Sequence, residues 1–177
     1  MNPDLHIGAE KSKRILAIGV GGTGMTPLAC WLAQAGYTVY GWDVNLRQNN
    51  RHFLESAGVN LLDYISDAHF KDCTRVVYSR AIKPDHALLR RAHALSIPTT
   101  ARGQLLAEVS QHYRLVAIAG SHGKTTTSGM LAHLMDITGF DANYLVGGLF
   151  NDGLAPYRHS QNNWMITEVD ESDGTID

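Results

Sequence analysis

Short apolar runs alternate along the chain with longer segments in which apolar residues recur at helical spacing. The runs are too short for helices and are bounded by glycine, proline or polar residues, which favours buried strands of a parallel sheet. The pattern predicts strands at residues 14–19, 37–42, 59–62, 75–78, 97–99, 115–119, 143–146 and 164–168. It predicts a first helix that ends near residue 35 and further helices at residues 46–57, 84–95, 103–110 and 124–138. Pro84 would lie in the first turn of its helix, where the backbone N–H that proline lacks is not needed. Residues 151–161 are predicted to form a polar loop.

This order of elements predicts an α/β protein with two parts. Residues 14–110 are expected to form a Rossmann-like, doubly wound parallel sheet domain, preceded by a polar tail at residues 1–13. A second α/β part, residues 111–177, follows without a flexible linker, so the boundary is placed near Ser110 and Gln111. Because ligands of such sheets bind at the carboxyl ends of the strands, the loops at that edge are the candidates for function.

The loop between the strand at 115–119 and the helix at 124–138 has the composition of a phosphate-binding turn. Its sequence is Gly120-Ser121-His122-Gly123-Lys124-Thr125-Thr126. Glycines in such a turn leave backbone N–H groups aimed at one point, where the helix dipole also favours an anion. Lys124 adds a positive charge, and the Thr125 hydroxyl can reach a magnesium ion held by phosphate oxygens. The strict P-loop spacing fails because Ile118 stands at the first glycine position, yet the strand–turn–helix setting still predicts a polyphosphate-binding site, with ATP as the expected ligand.

A second glycine-rich turn follows the first strand. Gly19, Gly21 and Gly24 match the Gly-x-Gly-x-x-Gly fingerprint in its strand–turn–helix setting, and Asp43 falls near the position of an acid that meets a ribose hydroxyl. The fingerprint requires only a pyrophosphate at a helix N-terminus, so NAD, FAD and a UDP-sugar all satisfy it. The same residues would also fit a tight turn that binds no ligand.

An acidic segment follows the strand at 164–168. An acidic residue at the end of a strand beside a phosphate-binding strand commonly holds the magnesium ion of a nucleotide site. Glu168 is the first candidate, with Asp170 and Asp173 as weaker ones, and a solvated acidic turn is the alternative.

The net charge, the cysteines and the apolar segments indicate which partners and which cellular compartment to expect. The formal net charge of −2 gives no reason to expect nucleic acid or an anionic membrane surface as a partner. Cys30 and Cys73 both sit in apolar or mixed runs and are expected to be reduced thiols. The N-terminus lacks the apolar core of a signal peptide, and no apolar run is long enough to span a bilayer. These features predict a cytoplasmic protein.

The motifs resemble those of the Mur ligases, the ATP-dependent amide-forming enzymes of peptidoglycan synthesis. The segment from Gly120 to Thr127 resembles their ATP-binding loop, and residues 168–173 resemble their Glu-Ala-Asp-Glu-Ser-Asp motif, whose first glutamate binds magnesium. Residues 19–25 and 79–82 resemble the UDP-binding loop and the Ser-x-Ala-Ile segment of the branch that joins L-alanine to UDP-N-acetylmuramate. The family usually has two adjacent arginines after the fifth strand, whereas Ala101 precedes Arg102 here.

The resemblance implies a set of site residues. Residues Gly120, Ser121, His122, Gly123, Lys124, Thr125 and Thr126 would bind ATP; Thr125 and Glu168 would bind Mg²⁺; and Gly19, Gly21, Gly22, Thr23, Gly24, Asp43, Ser79 and Arg102 would bind the UDP-sugar. Lys124 would also be catalytic, since it would neutralise the transferring phosphoryl group. Arg102 could instead be a solvated or helix-capping cation.

The implied activity is the joining of L-alanine to UDP-N-acetylmuramate through an acyl phosphate. Family members are much longer, so the chain is expected to bind these ligands but not to catalyse alone. Its second part is expected to expose apolar surface or an open strand edge, which would favour self-association. Three alternatives remain: a ligase that recycles a whole peptide onto UDP-N-acetylmuramate, a non-catalytic UDP-sugar or nucleotide-binding module, and a nicotinamide-dependent oxidoreductase, which leaves the second phosphate-binding turn unexplained.

Overall fold

The computed structural model describes residues 14–169, and they form two sheets with helices packed on them. The elements, in chain order, are β1 Arg14–Ile18, α1 Met25–Gln34, β2 Thr38–Trp42, α2 Gln48–Ser56, β3 Asn60–Leu62, α3 Asp67–Phe70, β4 Arg75–Tyr78, α4 Ala87–Ala94, β5 Thr99–Ala101, α5 Arg102–Ser110, β6 Arg114–Ile118, α6 Lys124–Thr138, β7 Asn143–Leu145, β8 Tyr157–Arg158 and β9 Trp164–Glu168. Asp170 and Asp173 lie outside the described residues.

The first sheet is the Rossmann-like sheet that the apolar runs predict. Its five strands are all parallel and lie in the order β3-β2-β1-β4-β5, which confirms the predicted fold class. β1 is central, and all of its residues after Arg14 are buried because helices cover both faces. The carboxyl ends of β1 and β4 are neighbours, so the loops at Gly19 and Ser79 meet at one edge.

The second sheet has the order β6-β9-β7-β8, with only β8 antiparallel. Within the described residues β6 has a strand partner on one side only. Several large apolar side chains of this second part are exposed, on β6, on α6 and in the segments after α6 and β7: Leu115, Met130, Leu134, Ile137, Phe140 and Leu149. The expected apolar surface and open edge are therefore confirmed, whereas self-association stays a prediction.

Three predicted elements are wrong in their details. The strand predicted at residues 97–99 lies at Thr99–Ala101 instead. The fourth helix begins at Ala87 rather than Pro84, because the His86 ring accepts a hydrogen bond from the Leu88 N–H at 3.3 Å and caps the helix there. The predicted loop at 151–161 contains β8, whose two residues pair with β7. A strand of two residues is too short to produce an alternating pattern.

α1 joins the two sheets through a buried polar contact. The Trp31 indole is fully buried and donates to the Asn143 side-chain oxygen at 3.0 Å, across 112 residues of sequence. The same oxygen accepts from the Ser160 N–H at 2.9 Å. The Asn143 amide group donates to the carbonyl oxygens of Asn162 at 2.9 Å and Trp164 at 3.1 Å. One asparagine therefore connects α1, β7 and the chain that leads into β9.

His159 packs beside this contact, with its ring edge-to-face on Trp31 at a centroid distance of 5.3 Å. Burial lowers the pKa of His159, and the nearby Asp141 opposes that effect in part. The unfolded chain therefore binds more protons than the folded chain below the ordinary histidine pKa of about 6.5, and stability is lost as the pH falls through that value towards the folded pKa. Urea unfolding should show a smaller acid destabilisation in His159→Gln than in the unsubstituted chain.

The matched control for this prediction is His112→Gln, which replaces an exposed histidine. It should retain the full acid destabilisation of the unsubstituted chain. Equal pH dependence in His159→Gln and His112→Gln would contradict a role for the His159 ring.

Both cysteines are unpaired, as expected. Burial raises the pKa of the Cys30 thiol to about 12, so this thiol is neutral near pH 7. None of the helices that the structure describes is long and apolar enough to cross a membrane.

Candidate functional site

A cavity of about 420 Å³ lies where the carboxyl ends of strands from the two sheets face each other. The first sheet contributes the turn after β1, the segment after β4 and the start of α5; the second contributes the start of α6 and the ends of β7 and β9. The predicted site residues that line it are Gly22, Thr23, Gly24, Ser79, Arg102, Lys124, Thr125 and Glu168. Both glycine-rich turns therefore open into one cavity.

The turn after β1 is held by its own backbone and by Asp43. Gly19 has φ +78°, and its N–H donates to the Trp42 carbonyl at 2.8 Å. The Gly21 N–H donates to Asp43 Oδ2 at 2.8 Å, while Asp43 Oδ1 accepts from the Asn45 N–H at 2.9 Å. Asp43 thus shapes the turn, and neither Gly19, Gly21 nor Asp43 lines the cavity.

The amides that remain available in this turn belong to Thr23 and Gly24. Within residues 14–169 their N–H groups have no acceptor, whereas the Gly22 N–H bonds to the Gly19 carbonyl at 3.2 Å. Both residues line the cavity and stand immediately before α1, where the helix dipole favours an anion. This arrangement suits a phosphate group.

Arg102 lies directly against Gly24. A Cβ atom at Gly24 would stand 2.8 Å from Arg102 Nη1 and 2.9 Å from Cζ. Gly24 has φ −89°, an ordinary value for any residue, so glycine is needed here for space and not for backbone freedom. The guanidinium, the α1 N-terminus and the two amides therefore converge on one anion position.

We expect Gly24→Ala to fold normally and to weaken UDP-sugar binding by roughly tenfold. The backbone accepts alanine, but the added methyl displaces the Arg102 guanidinium, and a hydrogen bond to a charged group is worth about 1.5–3 kcal/mol. Calorimetric titration with UDP-N-acetylmuramate measures the effect, and ATP affinity in the same variant is the internal control. Unchanged UDP-sugar affinity would remove Arg102 from the site.

The turn before α6 presents more amides than the first. Gly120 has φ +141° and Gly123 has φ +78°, values that favour glycine. The Thr127 N–H bonds back to the Gly123 carbonyl, but the N–H groups from Ser121 to Thr126 have no acceptor among residues 14–169. The turn is exposed, so these donors are accessible to a ligand. A triphosphate offers enough oxygens for all of them.

Lys124 places its charge over this turn. Its ammonium donates to the Gly120 carbonyl at 2.5 Å, which holds the side chain back across the loop. Lys124 and Thr125 line the shared cavity, Thr125 and Thr126 border an adjoining apolar groove, and Ser121, His122 and Gly123 line neither. The positive charge is therefore on the side of the turn that faces the glycine-rich turn after β1.

Glu168 and Thr125 fit a magnesium ion. Thr125 Oγ1 and Glu168 Oε2 are 2.9 Å apart. Neighbouring ligands of an octahedral Mg²⁺ with metal–oxygen distances of 2.0–2.1 Å are about 2.8–3.0 Å apart. No larger cluster of His, Cys, Asp or Glu that could hold a metal is found in residues 14–169. One carboxylate and one hydroxyl are a normal protein contribution to magnesium that is also held by phosphates.

Sequence reasoning missed the residues that support Glu168. Its Oε1 accepts from the Ser128 hydroxyl and from the Gly147 N–H, each at 2.8 Å. Gly148 packs directly against Thr125, because a Cβ atom at Gly148 would stand only 2.6 Å from Thr125 Cγ2. The glycine pair after β7 was a visible signal in the sequence, whereas nothing in the pattern distinguishes Ser128 from its neighbours on α6.

A parallel sheet and a mixed sheet whose glycine-rich turns open into one cavity define an α/β protein of the type that binds nucleotides. Residues 14–114 match the family described as Mur ligase family, catalytic domain, and the chain belongs to that family.

Curated relatives agree with this assignment. The chain is 38% identical over 166 residues to the UDP-N-acetylmuramate–L-alanine ligase of Sulfurihydrogenibium sp. (strain YO3AOP1), and 39% identical over 159 residues to that of Xanthobacter autotrophicus (strain ATCC BAA-1158 / Py2). The alignments cover 94% and 90% of this chain, but 36% and 34% of those relatives. The chain thus spans about a third of their length.

Solved structures share the fold. The UDP-N-acetylmuramate:L-alanyl-gamma-D-glutamyl-meso-diaminopimelate ligase from Neisseria meningitides superposes with a TM-score of 0.79 at 28% identity, covering 91% of this chain and 53% of that one. The UDP-N-acetylmuramate-alanine ligase from Thermotoga maritima gives a TM-score of 0.76 at 22% identity, covering 88% and 37%. The second likeness supports the fold alone.

Proposed function

We propose that this chain is the UDP-sugar- and ATP-binding part of a ligase that joins L-alanine to UDP-N-acetylmuramate. The observation that carries the proposal is the shared cavity, onto which Gly24, Arg102, Lys124 and Thr125 all open. A single phosphorylated ligand would need only one of the two turns. The names of the curated relatives supply the two substrates. Because the proposed reaction uses ATP as phosphoryl donor, we propose the cytoplasm as its location.

The chemistry requires ATP because a carboxylate is a poor electrophile at neutral pH. The muramate carboxylate attacks the terminal phosphorus of ATP, ADP leaves, and the acyl phosphate that forms is then attacked by the amine of L-alanine, which releases phosphate. Most of the catalysis is positioning and charge neutralisation. The residues described here would serve the first of these two steps by holding the UDP-sugar and ATP, and we do not expect the chain to catalyse it alone.

Each residue has a role that follows from its place. The N–H groups from Ser121 to Thr126 hold the phosphates, and Lys124 neutralises the group in transfer. Thr125 and Glu168 would hold Mg²⁺, which would offset the negative charge of the phosphates. The Thr23–Gly24 turn and Arg102 bind the UDP end, so that the carboxylate is directed towards Lys124.

A second candidate is the ligase that attaches a whole peptide to UDP-N-acetylmuramate. The Neisseria meningitides structure favours it, because that protein carries this activity in its name and superposes well. Identity to the L-alanine ligases is higher, at 37–39%, so the L-alanine ligase is preferred. The two candidates share the cavity and differ in the amine.

Calorimetric titration of the chain with UDP-N-acetylmuramate, with ATP–magnesium and with NADH tests the proposal. Binding of the first two, without NADH, is expected. Binding of only one phosphorylated ligand would indicate a simpler binding module. Binding of NADH without response to the other two would indicate an oxidoreductase and would contradict the proposal.

A further inference from the structure

Ser128 is a fully buried hydroxyl on α6, one turn after the phosphate-binding loop. Its Oγ lies 3.0 Å from the Lys124 carbonyl oxygen, 3.2 Å from the Thr125 carbonyl oxygen and 2.8 Å from Glu168 Oε1. A hydroxyl has one proton to donate, so these three acceptors compete for it. The carboxylate is the closest and the only charged acceptor, so it receives the proton.

This hydrogen bond divides the two oxygens of Glu168 between different tasks. Oε1 is occupied by two donors, the Ser128 hydroxyl and the Gly147 N–H. Oε2 accepts a hydrogen bond from the Thr125 hydroxyl at 2.9 Å, and this spacing also suits two ligands of one magnesium ion. Rotation of the carboxylate would break both bonds to Oε1, which come from α6 and from the segment after β7.

We propose that Ser128 is a positioning residue for the magnesium site, which it serves by fixing the Glu168 carboxylate so that Oε2 faces Thr125. The proposal rests on the proposed function, because it needs ATP–magnesium as the ligand. It extends that function to a residue that touches neither the nucleotide loop's amides nor the cavity. Because its hydroxyl bonds to Glu168, Ser128 differs from a serine that only donates to a carbonyl oxygen of its own helix.

The test compares ATP affinity with magnesium and with EDTA, by calorimetry, in the unsubstituted chain and in Ser128→Ala. The ratio of the two dissociation constants measures how strongly magnesium assists binding. Ser128→Ala should reduce this ratio by about tenfold, the value of one hydrogen bond to a charged group, and should leave affinity in EDTA unchanged. In Ser128→Cys the side chain keeps about the same volume, and its thiol is a weak hydrogen-bond donor, so we expect an intermediate ratio. This variant therefore separates loss of the hydrogen bond from loss of packing.

Two further variants separate positioning from helix structure. Thr138→Ala is the matched control, because Thr138 bonds back to the Leu134 carbonyl at 2.7 Å on the same helix, far from Glu168. It should leave the ratio unchanged. In a Glu168→Gln background, Ser128→Ala should reduce the ratio no further, since both substitutions remove the same carboxylate function.

The outcomes are distinguishable. An unchanged ratio in Ser128→Ala, or a further loss in the Glu168→Gln background, would overturn the role of Ser128 and leave the proposed function intact. If the unsubstituted chain binds no ATP, or binds it without help from magnesium, the proposed function and the role of Ser128 fail together.

Discussion

Asn143→Leu should lower the free energy of unfolding by about 3–5 kcal/mol. The asparagine is fully buried, and its two side-chain polar atoms satisfy the Trp31 indole N–H, the Ser160 N–H and two backbone carbonyls. Each buried polar group that loses its partner costs about 1–3 kcal/mol, and partial rearrangement of the chain recovers some of the total. Urea unfolding, followed by far-UV circular dichroism, measures the change.

The control for this substitution is Asn151→Leu, which changes an exposed asparagine on the segment that follows β7. It should alter the free energy of unfolding by less than about 0.5 kcal/mol. A loss of similar size in both variants would show that Asn143 does not hold α1 to the second sheet. Trp31→Phe, which removes a single donor, should cost less than Asn143→Leu.

Lys124→Ala should weaken ATP binding roughly tenfold to a hundredfold without changing the affinity for UDP-N-acetylmuramate. The ammonium is the one side-chain cation that the turn before α6 directs into the cavity, and hydrogen bonds to charged groups are worth about 1.5–3 kcal/mol. Titration calorimetry with each ligand separates the two effects.

Lys71→Ala provides the comparison for net charge. Lys71 is exposed and precedes β4, so it lies at the edge of the first sheet opposite the carboxyl ends. Its removal should leave ATP affinity unchanged. Equal ATP affinity in Lys124→Ala and Lys71→Ala would remove Lys124 from the nucleotide site.

Local signals in the sequence were sufficient for most of the elements and for the two turns. Apolar runs predicted the parallel strands of both sheets, though not the two-residue antiparallel strand β8, because buried parallel strands need apolar residues on both faces. Gly19, Gly120 and Gly123 were found as turn residues, and all three have positive φ. Glu168 was found because an acid at the end of a strand next to a phosphate-binding strand is a frequent arrangement.

The same local signals could not predict contacts between residues that are far apart in the sequence. Ser128 and Glu168 are 40 residues apart, and Trp31 and Asn143 are 112 residues apart, so only the packing of the sheets brings them together. Asp43 was expected near a ribose, which stays a prediction, but the hydrogen bond from the Gly21 N–H to its carboxylate was not foreseen. A fingerprint specifies the type of residue at a position, but the hydrogen bonds of that residue depend on the folded loop. The roles of the site residues and the domain boundary remain predictions.

The most direct measurement of the central claim is a titration of the chain with ATP–magnesium before and after saturation with UDP-N-acetylmuramate. If the turn before α1 and the turn before α6 hold different phosphorylated molecules in one cavity, one ATP will bind in each case and the UDP-sugar will stay bound. Loss of ATP binding in proportion to the UDP-sugar concentration would show that both ligands compete for a single turn, which would contradict the account.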